Sequence, residues 1–199
     1  MSVVLLVEGK TETALRAVLK RFLDERAEAQ GKPRIALRTK PMMTLNQGKL
    51  RGRIRRELSE PGVAAVVGLI DVYPDFASAE AAKRFLREAA DDDPRFFAHA
   101  AQYEVEAWLL PFWDAICRRL RVRQAPPGPW PEQVDLERPP SLRLGERYRR
   151  AKPPRKYIKT LEMSAILGRL GLAPAAACCP ELKALLNTLL AVGDLAPLD

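Results

Sequence analysis

Six carboxylates fall in three short clusters, each just past an apolar run. Glu8 and Glu12 follow Val3-Val4-Leu5-Leu6-Val7, Asp71 and Asp75 follow the uncharged run 63–70, and Glu104 and Glu106 follow Phe96–Ala101. If the apolar runs are strands of a parallel sheet, all three clusters lie at carboxyl ends, where such sheets bind ligands. Carboxylates gathered there repel one another unless a positive group stands between them. A hard divalent cation, Mg2+ or Mn2+, takes oxygen ligands of this kind. The pattern therefore points to metal-dependent chemistry on a phosphate group.

The positions differ in what else they could be. Glu8 precedes Gly9, which lets the chain turn, and suits a metal ligand or general base. Glu12 could join it or sit in the first turn of a helix, favoured by the dipole. Asp71 is a metal ligand or a turn former, and Asp75 a second ligand or the acid of a Pro-Asp turn. Glu104 and Glu106 would share a face on a strand. On a helix they diverge by ~200°, so one would point into the site. An apolar run starts directly after them, and a buried carboxylate there needs a metal or an arginine. Lys156 or Lys159 could stabilise charge developing on phosphate, and Lys159 is the lysine assigned here to catalysis. His99, the only histidine, and the three cysteines read as structural, and Gly9-Lys10-Thr11 lacks the upstream glycine of a phosphate-binding loop.

The charge balance names a partner. The chain has 199 residues with a net charge of +8 and a pI near 9.7. Lys49, Arg51, Arg53, Arg55 and Arg56 form one basic run, with others at 118–123 and 147–159. Nucleic acid is the simplest anionic partner, with the run 49–56 as its contact surface. A hydrophobic content of 47% excludes a disordered tail. No apolar run is long enough for a membrane span, no secretory signal is evident and no disulfide framework is present, so a cytoplasmic protein with no membrane partner is expected.

The elements that must position these residues alternate. Strands are expected at 3–7, 34–40, 63–70 and 96–101. Helices are expected from Thr11 through Leu23, after Gly48, from Ser78 to about Ala90, and from Glu104 to about Leu120 with a break at Pro111. This gives an α/β fold, a mainly parallel sheet flanked by helices, over residues 1–124. Residues 125–140 hold many prolines and read as an extended connection. Residues 141–199 supply helices at 159–170 and 180–192 and form a helical C-terminal extension packed on the core.

Val7-Glu8-Gly9-Lys10-Thr11-Glu12 and Asp71 resemble the Toprim domain of topoisomerases, primases and the overcoming-lysogenisation-defect nucleases. That domain has Asp-x-Asp at its second motif, whereas position 73 here is Tyr. The whole chain is still more similar to the Toprim-like bacterial family called domain of unknown function 4276. The likeness rests on Asp71-Val72-Tyr73-Pro74-Asp75-Phe76, on Gln102-Tyr103-Glu104-Val105-Glu106-Ala107 and on Cys179-Pro180. The resemblance implies a Toprim-like fold, magnesium held by the acidic motifs, a defence or mobile-element setting, and an ATPase encoded nearby as partner. The expected function is a Mg2+- or Mn2+-dependent nuclease on DNA or RNA, with Glu8, Asp71 and one or both of Glu104 and Glu106 on the metal and Glu12 and Asp75 completing a second site. The alternative is a non-catalytic module that binds nucleic acid or an ATPase and retains the fold.

Overall fold

A computed structural model describes residues 1–9, 14–42, 44–133 and 138–199. Four strands, β1 (Ser2–Val7), β2 (Ala36–Pro41), β3 (Val63–Asp71) and β4 (Phe96–Ala101), form one sheet in the order β2-β1-β3-β4. All neighbours pair parallel. The expected α/β class and the four strands are thus present, with β2 displaced slightly toward its carboxyl end. The Thr11 cap and Glu12 fall outside the described residues.

Parallel strands need crossovers, and helices supply them. α1 (Leu15–Ala29) joins β1 to β2, α2 (Gln47–Leu58) joins β2 to β3, and α3 (Ala79–Ala89) joins β3 to β4. Local chemistry starts two of them. Asn46 accepts from the Lys49 N–H at 3.1 Å, and Ser78 accepts from the Ala81 N–H at 3.1 Å. Because β2 and β3 lie on opposite sides of β1, right-handed crossovers place α1 and α2 on opposite faces. Val3, Leu5 and Val7 accordingly pack with Leu15, Val18 and Leu19 of α1, while Val4 and Leu6 pack with Leu50 and Ile54 of α2. β3 is buried on both faces, so its side chains form an almost unbroken apolar run. Gly68 is the small residue in it. A Cβ there would lie 2.8 Å from the Phe96 ring, so β3 and β4 can close only around glycine.

After β4 the chain forms a 3-10 segment, Val105–Phe112, and then α4 (Trp113–Leu120). The expected break at Pro111, which has no N–H to donate, falls at the end of the 3-10 segment, and the helix proper begins only at Trp113. The C-terminal part contains α5 (Pro140–Arg149), α6 (Lys159–Leu170), the single turn α7 (Ala173–Ala176) and α8 (Pro180–Val192). α5 was not expected from sequence, because arginines dominate it and only Leu144 and Tyr148 of its residues mark an apolar stripe. Leu144, Tyr148, Met163, Leu167, Leu182 and Leu186 belong to the same buried cluster as β1 and α1. One core therefore runs from the sheet into the C-terminal helices.

The proline-rich connection carries a structural acid. Glu132 is buried in a short 3-10 turn, Pro131–Gln133. It accepts from the Trp108 indole at 3.0 Å and from the Glu181 and Leu182 N–H groups at 2.9 and 3.4 Å. α8 has no capping side chain of its own, so a remote carboxylate satisfies its first turn. Replacing Glu132 with Ala leaves these buried donors unmet. The expected loss is ~2–3 kcal/mol of stability, read from the urea midpoint, with Glu132→Gln losing less. An Ala variant as stable as the parent would remove this role.

Candidate active site

The strand order reverses between β1 and β3, which makes the gap beyond their carboxyl ends the switch point where open α/β sheets bind ligands. The register decides what stands there. Val7 lies opposite Leu69, so Glu8, the next residue, comes level with the end of β3. Asp71 lies opposite Ala101, three residues before Glu104. Pairing continues past the strand ends, with Val72 N–H donating to Ala101 O at 3.0 Å and Tyr73 N–H to Tyr103 O at 2.8 Å. The sheet itself thus gathers the three acidic segments at one edge.

Glu8 Oε2 accepts from the Asp71 backbone N–H at 3.1 Å. Asp71 Oδ1 accepts from the Val105 N–H at 3.0 Å, which ties the end of β3 to the start of the 3-10 segment. Its Oδ2 lies 3.8 Å from Lys159 Nζ, and the same ammonium is 3.1 Å from Glu106 Oε2. Lys159 opens α6, so the C-terminal extension delivers the positive charge that the acids require. Lys156, the other lysine considered, is exposed in the preceding loop.

Glu104 and Glu106 diverge, as the helical alternative requires. Glu106 turns inward and is almost wholly buried. Burial pushes its carboxyl up to about 7; the Lys159 ammonium opposes the rise and the Glu104 charge adds to it. Glu104 instead accepts from the Ser141 N–H and hydroxyl, both at 2.8 Å, and so anchors the first turn of α5. Both its oxygens are engaged there. Asp75 lies exposed in the turn after β3, and Glu12 is outside the described residues. Beside Glu106 stands a group that sequence reading missed, Tyr157. Its hydroxyl is buried with no hydrogen-bond partner among the described residues, and burial together with the Glu106 charge raises its pKa far above the ordinary tyrosine value. Its ring meets Tyr148 edge-on, with centroids 5.3 Å apart. The only hint in the sequence is an aromatic residue inside a basic run.

The donors fit a hard cation only in part. Glu8 and Asp71 both bring carboxylates to the switch point, where Glu8 Oε2 meets the Asp71 backbone N–H. Among the described residues, no group of three acids, histidines or cysteines is assembled for a metal. Magnesium commonly binds through one or two carboxylates, water and substrate phosphate, which matches a Glu8–Asp71 pair. Glu106 is engaged by Lys159 instead.

The run 49–56 stands elsewhere. α2 starts at the carboxyl edge and runs back toward the other end of the sheet. Arg51 and Arg55 pair with Asp91, beyond the end of α3, at 3.2 and 2.8 Å, and Arg53 pairs with Glu57 at 2.9 Å. Arg51 and Arg55 thus join α2 to the end of α3 and Arg53 pairs within α2, while Lys49 and Arg56 are exposed. His99 is structural in its surroundings. It is buried, its Nε2 is 2.9 Å from the Thr188 hydroxyl, and burial lowers its pKa to about 4.

The raised pKa of Glu106 sets a pH dependence. The folded protein holds this proton up to pH ~7, whereas an unfolded glutamate releases it near pH ~4.3, so stability falls as pH rises through that window. Between pH 5 and 8 in chelator, the parent is expected to lose on the order of 1–3 kcal/mol more than Glu106→Gln. Urea melts at the two pH values measure it, and equal losses would show that Glu106 titrates normally.

No curated protein and no solved structure matches this chain. The family model described as Domain of unknown function (DUF4276) matches residues 7–190. That span begins one residue before Glu8 and takes in Asp71, Glu106 and Lys159, so the chain belongs to the DUF4276 family.

Proposed function

We propose that the protein is a Toprim-like, Mg2+- or Mn2+-dependent nuclease. The observation that carries the reading is the meeting of Glu8 and Asp71 at the switch point, with Lys159 touching Asp71 beside them. Glu8 and Asp71 would hold the metal, which supplies charge neutralisation at phosphate and an activated water. The Asp71 and Val105 N–H groups orient the two carboxylates. Glu106 holds Lys159 at the edge of the site, where its ammonium can approach a phosphate oxygen and stabilise the negative charge that develops there. Glu106 is then a positioning residue. The resemblance supports an ATPase encoded nearby as partner. Among the described residues no helix is long and apolar enough to cross a membrane. The free cysteines Cys117, Cys178 and Cys179 suit a reducing cytoplasm.

One observation favours the second reading, a module that binds nucleic acid without cutting it. Lys159 already supplies a positive charge to both Asp71 and Glu106, so that part of the cluster is neutralised without a metal. The readings separate on Asp71→Asn and Lys159→Ala, assayed with manganese and with chelator on single- and double-stranded DNA and RNA. A nuclease loses cleavage in Asp71→Asn and keeps binding in chelator. Lys159→Ala is expected to slow cleavage by ~10²–10³-fold while Mn2+ affinity holds or rises, because a competing cation is gone. Cleavage by Asp71→Asn at the parent's rate removes Asp71 from the metal. A parent that cuts nothing, even with its neighbouring ATPase supplied, moves the conclusion to the binding module.

A further inference from the structure

The basic run at 118–123 has no counterpart in the acidic edge, yet it lines a groove. Residues of α4 and α6 line it together, the apolar Ile116, Ile166 and Leu170 with the basic Arg118, Arg119 and Arg169. The three arginines are exposed. Arg119 spends its charge on Glu162, at 2.7 Å. Arg118 and Arg169 have no ion pair among the described residues, in contrast to Arg51, Arg53 and Arg55 of α2. Arg121 and Arg123 follow directly and are also exposed.

The groove points toward the acidic edge. Ile166 and Leu170 follow Lys159 by seven and eleven residues along α6, which places each within ~20° of Lys159 around the helix and ~10–17 Å from it along the axis. One helix thus carries the site lysine at its start and the groove near its end. Glu162 lies between them, and Arg119 neutralises it while the Tyr148 hydroxyl donates to it. An anionic chain lying along α6 would meet guanidinium groups first and Lys159 last.

We infer that the α4–α6 groove binds the phosphate backbone of a nucleic-acid strand and leads it toward Asp71 and Lys159. Guanidinium groups bind phosphate oxygens through paired N–H donors, and the apolar side chains accept sugar and base edges. Binding needs no metal. The direction of the strand rests on the nuclease reading, whereas occupation of the groove does not.

The test is fluorescence anisotropy of the full chain with a labelled 20-nucleotide single strand and the matching duplex, in chelator, over a salt series. Arg118→Glu/Arg169→Glu is expected to raise Kd at least tenfold for the strand that the parent binds. Arg118→Gln/Arg169→Gln should raise it less and lower the salt slope by ~1.4, at ~0.7 per lost contact on a single strand. Both pairs are exposed, so thermal melts should match the parent's. Arg55→Glu/Arg56→Glu on α2 is the control and should change Kd by less than ~3-fold. The inference is overturned if the groove variants bind like the parent, if the α2 control costs as much, or if the parent binds neither probe. Polyglutamate competing as well as DNA would also overturn it and give the groove to an acidic protein partner. Groove-dependent binding by a parent that never cleaves leaves the groove and removes the nuclease reading. Cleavage with unchanged affinity in the groove variants does the reverse.

Discussion

Like charges cannot be collected at one edge of a sheet without a counter-charge, and the rest of this structure is arranged around that constraint. Two unit charges ~4 Å apart near a protein surface interact by about 4 kcal/mol, enough to cancel much of a small domain's stability. The register of β1, β3 and β4 brings Glu8, Asp71 and the Glu104–Glu106 segment together whatever their charge. Among the described residues relief comes from three directions. Backbone N–H groups meet Glu8 and Asp71, Ser141 meets Glu104, and Lys159 stands between Asp71 and Glu106. The C-terminal helices are therefore part of the acidic centre as well as of the core.

Burial sharpens the division of labour among the acids. Glu106 lies almost out of solvent, so its ionisation depends on Lys159. Glu104, two residues away, reaches a helix start and has both oxygens satisfied. Glu132 does for α8 what Glu104 does for α5. Two of the acids near the acidic edge and the C-terminal helices thus hold the backbone, while Glu8, Asp71 and Glu106 are, among the described residues, those at the switch point or on its lysine.

β1, β3 and β4 were legible because they are short, mostly apolar runs closed by acids, a pattern that buried parallel strands produce, and the edge strand β2 was legible from its alternation. α2 was legible from its apolar spacing and α3 from its Ser78 cap, and α6 and α8 lie at the bounds expected for them. α5 was not, since Leu144 and Tyr148 are too few to outweigh its arginines, and its packing against the chain around Glu104 is a tertiary fact. The six acids could be located from sequence, but their partners could not. Whether a carboxylate meets a lysine, a serine or an indole depends on contacts across many tens of residues, as with Asp71 and Lys159 or Glu132 and Glu181. The partners of the basic run 49–56 were equally hidden, since Arg51 and Arg55 meet Asp91 and Arg53 meets Glu57.

The order of the chain gives the Lys159 contact a consequence in time. A ribosome adding ~5–20 residues per second delivers Asp71 on the order of 5–20 s before Lys159. During that interval the acids of β1, β3 and the 3-10 segment are made, while their ammonium partner and the helices that close the core over α1 are not. The nascent sheet edge is more negative than the finished one and its apolar face is uncovered. Arrival of α6 supplies the lysine and begins the closure, so the acidic edge gains this counter-charge only late in synthesis.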